Sequence, residues 1–449
     1  MSKLLQFANF QELINWSVKT NLSSLVESKY KVVTLGNHII EQKDKVKPFD
    51  FPEDDFKILG VSNKIGLFDN EIKKGKEINQ AYKIVKDGYL AYNPYRINVG
   101  SIGLKTDEQK YDLISPAYVV FSCKDTLLPE YLFLIFKTQT FNTIINESTR
   151  GSVRQILAFD ILETLKIPLP TIEEQKEIVN KYHEKLNLSK KQEIKATQKE
   201  SDIEKYLKFI LELKEIEDPT SKLLNFIKYE QINSWSYRDL LGSFLLVSNK
   251  FETVKLVQKS DLYVDVFRGK SPKYSDKSDS IILNQKCIRW NCIELEHSKS
   301  VDDDWYQNID KSFFTKKGDI LINSTGDGTI GRATCITEKY VNLIYDSHIL
   351  LLRVNPDKIN PMFLTYFINS SLGQLQIENI KSAVATKQTE LGINNLKNIQ
   401  FILPSINIQN EIADKIELLK NEIKSLNQKS EQNRDLAMQD FESGIFNEA

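Results

Sequence analysis

The strongest constraint on this 449-residue chain is that most of it is written twice. INWSVKT (14 to 20) returns as INSWSYRDL (232 to 240), setting Trp16 opposite Trp235, 219 positions on. YKVVTLG (30 to 36) returns as FETVKLV (251 to 257), and DGYLAYN (87 to 93) as KGDILIN (317 to 323). GSIG (100 to 103) is echoed by GTIG (328 to 331), which sets Gly331 opposite Gly103. PEYLFLIF (129 to 136) is answered by PMFLTYFI (361 to 368). LKIPLPTIEEQKEIVNKY (165 to 182) matches IQFILPSINIQNEIADKI (399 to 416), with Pro170 opposite Pro404. The offset grows from 219 at the tryptophans to 234 at the prolines. Framework segments therefore recur, while residues 37 to 86 and 258 to 316 share almost nothing. An internal repeat decides architecture before any local feature does. Two copies of one scaffold with two variable surfaces suit a protein that reads two different targets.

Each copy has the same internal order. Short apolar runs rich in β-branched and aromatic residues come first (YVVFS, DILIN, ATCIT, HILLLRV) and read as strands. A short amphipathic helix comes next, exemplified by PEYLFLIFKTQTFNTII. A Pro-containing stop then precedes a charged segment nearly free of Gly and Pro, about Ile172 to Glu217 in the first copy and about Ile406 to the C-terminus in the second. Both segments read as long helices, the first on the order of 65 Å at 1.5 Å per residue. Ile412, Ile416, Leu419, Ile423 and Leu426 form a heptad seam; Val179, Tyr182 and Leu186 begin one that Ile203, Leu207 and Ile210 resume. Between the apolar blocks the seam turns polar, at Ser189 and Glu193 in one helix and Ser430 and Asn433 in the other. Two such helices can pair antiparallel with polar opposite polar; the alternative is a pair of solvated helical linkers, which would leave an apolar stripe to bury elsewhere.

Sixty Lys and Arg against 61 Asp and Glu exclude a polycation, so any nucleic-acid surface must be local. No apolar run approaches the ~18 residues of a membrane span, and the polar-broken start MSKLLQFANFQEL is a poor signal peptide, making the cytoplasm the expected compartment. Four scattered cysteines make no disulfide scaffold. Cys287, Cys292 and His297 stand at five-residue steps, but a zinc site would lack its fourth ligand, so no metal is expected.

Gly326, Gly328 and Gly331 in NSTGDGTIGRAT fit G-x-G-x-x-G, the pattern of a dinucleotide loop. Such a loop needs a helix opening on its last glycine. The segment after Gly331 is strand-like, and the repeat partner NPYRINVGSIG has no G-x-G; a strand-turn-strand with glycines at its bends explains both copies. YNPYR (92 to 96) is similar to the N/D-P-P-Y/F motif of adenine-N6 methyltransferases but lacks the second proline and any cofactor loop. No convincing active site is present.

DGYLAYNPYRINVGSIG, GSVRQILAFDILETLKIPLPTIEEQKEIV, GDILINSTGDGTIGRAT and TKQTELGINNLKNIQFILPSINIQNEIADKI, with the ending AMQDFESGIFNEA, resemble recurrent blocks of the specificity subunits of type I restriction-modification systems, in order and twice over. The resemblance covers essentially the whole chain. It implies an α+β architecture: two mixed, strand-rich target recognition domains in tandem repeat (1–170 and 219–404), separated by two long spacer helices (171–218 and 405–449) that form an antiparallel coiled coil. It implies further a non-catalytic subunit that reads a bipartite double-stranded DNA target, one half per domain, with the helices setting the spacer. Two modification subunits would dock on the helical regions and methylate adenine N6 with S-adenosylmethionine; restriction subunits would use ATP and Mg. No cofactor is expected in this subunit. The family's L-P-x-x-x-E-Q block is kept in LPTIEEQ, whereas LPSINIQ loses the acid.

Base-edge readout needs Arg, Lys, Asn and Gln on loops, with further cations on phosphates. The first variable region offers Lys64, Arg96, Asn98, Arg150 and Arg154; the second offers Arg268, Lys270, Lys273, Arg289, Arg332 and Lys387, with FRGKSPKY (267 to 274) the best local cluster. For each of these the alternative is a solvated side chain or an intramolecular ion pair. Two other functions remain open on the residues alone: a coiled-coil scaffold with two protein-binding heads, and a stand-alone nucleotide- or SAM-dependent enzyme.

Overall fold

The computed structural model describes residues 26–148, 156–214, 246–326, 328–380 and 390–446. The chain divides into two compact units, Met1–Glu193 with Asn427–Ala449, and Ile194–Leu426. The repeat segments around Trp16 and Trp235 lie outside the described residues.

In the first unit the strands are β1 (Val32–Thr34), β2 (Ile39–Glu41), β3 (Lys45–Val46), β4 (Asp55–Ser62), β5 (Gly66–Lys74), β6 (Tyr82–Ile84), β7 (Leu90–Tyr92), β8 (Ile102–Leu104), β9 (Leu113–Ile114), β10 (Val119–Cys123) and β11 (Lys166–Pro168). Helices α1 (Pro129–Ile135), α2 (Gln139–Ser148) and α3 (Phe159–Thr164) precede the long helix α4 (Ile172–Ile210). A two-stranded sheet pairs β1 with β11, a four-stranded sheet runs β2-β10-β7-β8, and the variable segment forms a five-stranded sheet, β3-β6-β9-β4-β5.

The second unit contains β12 (Glu252–Lys255), β13 (Tyr263–Arg268), β14 (Ile281–Leu283), β15 (Ile288–Arg289), β16 (Cys292–Ile293), β17 (Lys299–Ser300), β18 (Asp319–Asn323), β19 (Ala333–Cys335), β20 (Ile344–Tyr345), β21 (Ile349–Val354) and β22 (Gln400–Leu403). Its helices are α5 (Asp303–Gln307), α6 (Pro361–Asn369), α7 (Ser371–Ile380) and α8 (Ile393–Lys397), followed by the long helix α9 (Ile406–Ile445), whose residues from Asn427 on belong to the first unit. The framework recurs strand for strand: β12 pairs β22, and a four-stranded sheet runs β13-β21-β18-β19. The variable segment differs, folding as β17-β14-β20 with a separate hairpin β15-β16. This is the α+β tandem architecture expected from the sequence.

Strand register tests the repeat residue by residue. Val33 pairs with Ile167 and Val254 with Phe401, as the offsets of 221 and 234 require. One alignment has to be corrected. Tyr92 pairs with Ile102 and Ile322 with Ala333, so the true counterpart of Gly331 is Gly100, and Gly103 corresponds to Thr334. Gly100 and Gly331 share a φ of 82°, left-handed backbone that disfavours a side chain. Gly103 is a strand residue needed for another reason: a Cβ there would lie 2.2 Å from the Leu67 amide nitrogen, where β5 crosses.

Alternation across these sheets separates framework from insert. On β7, Leu90 and Tyr92 join the helix-packed core with Phe121, while Ala91 faces Leu59, Leu67 and Val85 of the insert. On β18, Ile320 and Ile322 pack with the helices, whereas Leu321 faces Leu283, Ile288 and Tyr345. Burial on both faces explains why DILIN and HILLLRV are apolar without alternation.

A buried glutamine links each framework to its long helix. Gln175 Oε1 accepts from Leu128 N at 2.8 Å while Nε2 donates to Thr126 O (3.1 Å) and Pro170 O (2.9 Å). Gln409 repeats all three contacts, with Asn360 N, Lys358 O and Pro404 O, each at 2.9 Å. The acid beside Gln175 has a different job: Glu174 accepts from Thr171 N (2.8 Å) and Thr171 Oγ1 (2.9 Å), while its own N–H donates to that hydroxyl (3.3 Å), a capping box. These bonds, the one from the Thr171 amide foremost, hold its carboxyl below the usual range. The second copy loses the acid because Ile408 packs there against the core instead.

The long helices pair antiparallel. In the first unit Tyr182 stacks edge-on to Phe441 at 6.2 Å and Lys185 is ion-paired with Asp440. Ser189 and Ser430 are buried with their hydroxyls 2.8 Å apart; Glu193 accepts from Ser430 (3.0 Å) and pairs with Arg434, and Asn433 donates to Gln192 at 3.0 Å. Polar does face polar, as the seam residues required. In the second unit Ile203 and Leu207 share a core with Ile412, Ile416 and Ile423, and Lys199 pairs with Glu422.

Two helix boundaries differ from expectation. Helix α4 stops at Ile210 and not near Glu217, because Leu211 turns into the core with Glu212 at a positive φ of 44°, and Lys214 N then bonds Val247 O at 2.9 Å. The amphipathic segment after Leu128 is two helices, because buried Thr138 bonds Ile135 O (2.7 Å) and receives the Phe141 N–H (3.2 Å), ending one helix and starting the next.

Candidate nucleic-acid interface

In the first unit, two adjoining turns carry the candidates. Lys64 is exposed at the tip between β4 and β5; Arg96 (exposed) and Asn98 (half-buried) lie in the turn from β7 to β8. A Cβ on Gly100 would only just reach Asn63, 4.0 Å from its Cβ, so the turns lie side by side. The second turn is rigid by construction: Asn93 Oδ1 accepts from Tyr95 N (3.0 Å), Ile97 is buried, and Gly100 N bonds Ile97 O at 2.8 Å. The YNPYR bend is thus a proline-containing turn after a strand. From beneath, Lys137 Nζ donates to Gly100 O at 3.0 Å, and burial lowers its pKa. Arg150 and Arg154 lie outside the described residues.

In the second unit the equivalent turn is NSTGDGTIG. Gly326, Gly328 and Gly331 all have positive φ, and the chain continues into strand β19, so the glycines bend a hairpin. Gln374 Nε2 donates to Gly331 O at 3.0 Å, the counterpart of Lys137. Arg332 donates to Gly328 O (2.8 Å) and lies over the half-exposed Trp290, 5.7 Å from its ring centre.

Beside this turn, Arg268 is ion-paired with Glu390 and donates to Ser347 O at 3.3 Å. Lys270 is exposed above Phe313, 3.9 Å from the ring centre, and its backbone bridges Asp346. Lys273 pairs with Asp302 at 3.1 Å, and Arg289 with Glu294 at 2.7 Å, its second nitrogen 3.1 Å from His297 Nε2. Lys387 lies outside the described residues. Intramolecular ion pairs thus hold Arg268, Lys273 and Arg289 of the second-copy candidates. Asp346 is buried and its carboxyl is raised by that burial.

Sequence reasoning missed the polar residues that gather at this turn. Thr325 Oγ1 is 2.9 Å from His348 Nδ1 and donates to Gln285 Oε1 at 3.3 Å. They come from three separate segments, and only the strand pairing brings them together. Among the described residues the one group of metal-ligating atoms within 4.8 Å is Glu294, Glu296 and His297, without Cys287 or Cys292, and the Arg289 guanidinium stands against it.

Comparison with known proteins agrees with this architecture. Residues 60–204 and 265–432 each match the type I restriction modification DNA specificity domain, together most of the chain, and the chain belongs to that family. It carries two such domains and is a DNA sequence-specificity subunit of the type I restriction-modification class. The type I restriction enzyme MjaVIII specificity subunit of Methanocaldococcus jannaschii is 24% identical over 346 residues, spanning 72% of this chain and 71% of the relative. A chain solved in work on complex assembly and conformational transition of the type I R-M system superposes with a TM-score of 0.59 at 14% identity, covering 92% of this chain and 97% of that one. The HsdS subunit from Thermoanaerobacter tengcongensis gives 0.47 at 15% identity, over 93% and 96%. Among the described residues no helix is long and apolar enough to cross a membrane.

Proposed function

We propose that this chain is the non-catalytic reader of a bipartite DNA target, each recognition domain taking one half-site and the paired helices fixing the unread spacer. The observation that carries it is one framework built twice, with unrelated inserts on the same face of the same sheet. Recognition domains at 1–170 and 219–404, with spacer helices at 171–218 and 405–449, belong to this reading. Lys64, Arg96, Asn98, Arg150, Arg154, Arg268, Lys270, Lys273, Arg289, Arg332 and Lys387 supply base and phosphate contacts. Two modification subunits dock on the helical regions and bring S-adenosylmethionine; restriction subunits bring ATP and Mg; the complex works in the cytoplasm, and this subunit holds no cofactor.

Mapping methylated adenines by single-molecule sequencing, in cells expressing the chain with its modification subunit, reports both half-sites and the spacer. Exchanging residues 37 to 160 for those of a relative is expected to change one half-site only, and a change in both refutes modular reading. Four residues inserted between Ser189 and Glu200 should alter the spacer or abolish methylation; an unchanged spacer removes the ruler role. Neutralising Arg268, Lys270 and Lys273 should weaken DNA binding and flatten its salt dependence; unchanged binding would favour heads that bind protein.

A further inference from the structure

The first unit's candidate edge carries exposed apolar side chains that the core does not use. Ile65 is 69% exposed, Val99 56% and Tyr95 51%. Scattered exposed hydrophobics are ordinary. These differ in setting: they sit on two turns that lie side by side at Asn63 and Gly100, beside Lys64 and Arg96, and neither SNKIG (62 to 66) nor NPYRINVG (93 to 100) contains a carboxylate. Phe49, Phe51 and Ile72, also exposed, stand instead among Asp50, Glu53, Asp54 and Glu71. The partner for the first group is therefore a polyanion that also presents small apolar groups. In the major groove the C5-methyl of thymine is the one such group on the base edges.

We propose that Ile65, Val99 and Tyr95 are specificity-determining residues that cover thymine methyls in the half-site read by the first domain, with Arg96 and Lys64 taking a purine edge or phosphates beside them. The inference rests on the DNA-reading function proposed above. The turn is preorganised for this task by the Asn93 side chain, the buried Ile97 and the Lys137 tether, so little ordering is lost on contact. The corresponding turn of the second unit offers no such surface: among its described residues only Gly328 is exposed, and Ile330 is buried. The two copies thus present chemically different edges from one turn.

The test uses the complex of this chain with its modification subunits and duplexes of the mapped recognition sequence. In one set, deoxyuridine replaces thymidine within the half-site that the 37-to-160 exchange assigns to the first domain, deleting only the methyl. Wild-type complex is expected to bind about fourfold more weakly per covered methyl removed, the factor expected for one buried carbon. The variant I65A/Y95A/V99A should bind thymidine DNA more weakly and lose its discrimination against deoxyuridine in that half. Its response to deoxyuridine in the other half should stay unchanged. Because all three positions are exposed, thermal melting of the variant should match wild type. Equal binding of both duplexes by a complex that still methylates its sequence overturns the inference and leaves the reading function standing. Full discrimination retained by the variant overturns it too. A complex with no sequence preference removes the function and the inference together.

Discussion

Replacing Gln175 with Ala should loosen the first recognition domain far more than an average surface change. The side chain is fully buried and makes three hydrogen bonds to the backbone: from Leu128 N and to Thr126 O and Pro170 O. Truncation strands the donor of half-buried Leu128 and takes a partner from two carbonyls. A stranded donor costs about 1–3 kcal/mol, the buried Pro170 carbonyl with its second lone pair falls at the low end, and the carbonyl of exposed Thr126 rehydrates at little cost, so the total comes to about 2–4 kcal/mol. Gln175→Met keeps the volume and loses the bonds, and should cost nearly as much. Gln175→Glu keeps the acceptor but sets a carboxylate against two carbonyl oxygens. Burial raises the pKa of such an acid, so stability is lost as pH rises through that raised value and returns as pH falls and the proton restores a donor. Because a two-unit chain need not unfold in one step, the assay is hydrogen exchange by mass spectrometry, reading amides 126 to 135 against 358 to 368. Gln409→Ala should give the mirror result, since its contacts repeat the first set. A cost below about 1 kcal/mol, wild-type behaviour of Gln175→Met, or equal opening of both segments would refute the bookkeeping.

Glu174→Gln should lower the melting temperature slightly at neutral pH. The capping bonds depress this carboxyl, so its contribution exists above the unfolded pKa and is lost as pH falls through the folded value; melting curves of the two proteins should converge in acid. Asp346→Asn should have the opposite sign: burial raises that carboxyl, so its ionisation weakens the fold as pH rises, and the variant should melt higher at neutral pH and no higher in acid. Asn keeps an oxygen to accept from His348 N. Gly100→Ala should cost about 1–2 kcal/mol in denaturant titration for its left-handed backbone, whereas Gly103→Ala should cost more, because its methyl meets the Leu67 nitrogen at 2.2 Å. Equal costs at the two positions would contradict the close approach of β5 at Gly103.

The features legible in the sequence arose from burial and backbone chemistry acting locally. Strands such as DILIN, the heptad seam through Ile412 and Ile416, and the polar layer at Ser189 and Ser430 each obey a period that one segment suffices to show. The doubled order revealed the framework because both copies bury the same positions. Where the outcome turned on tertiary contact, sequence fell short. Three identical letters out of four aligned GSIG with GTIG, yet pairing of Tyr92 with Ile102 and Ile322 with Ala333 moves the register, since the second turn is one residue longer. The end of helix α4 at Ile210 depends on where Leu211 finds its core, which no helix propensity encodes. Gln285, Thr325 and His348 carried no shared motif because three segments deliver them.

The same contrast accounts for how one scaffold can serve two targets. Every framework strand has one face packed in the helix-side core, and that face is apolar in both copies: Leu90, Tyr92 and Phe121 in one unit answer Ile320, Ile322 and Leu352 in the other. The opposite face needs only to be covered by something apolar, and a five-stranded sheet does it in the first unit while a three-stranded sheet and a hairpin do it in the second. Local glycine rules depend on the cover. Gly103 is required where β5 crosses closely, whereas its counterpart Thr334, beside the β15-β16 hairpin, is a buried strand residue with a side chain. The turns at the sheet's edge are then held from the framework side by Lys137 or Gln374 while their outer side chains differ between the copies. Recognition can therefore change in one copy without disturbing the core that the copies share, and exchanging one insert should leave the other domain's exchange protection unaltered.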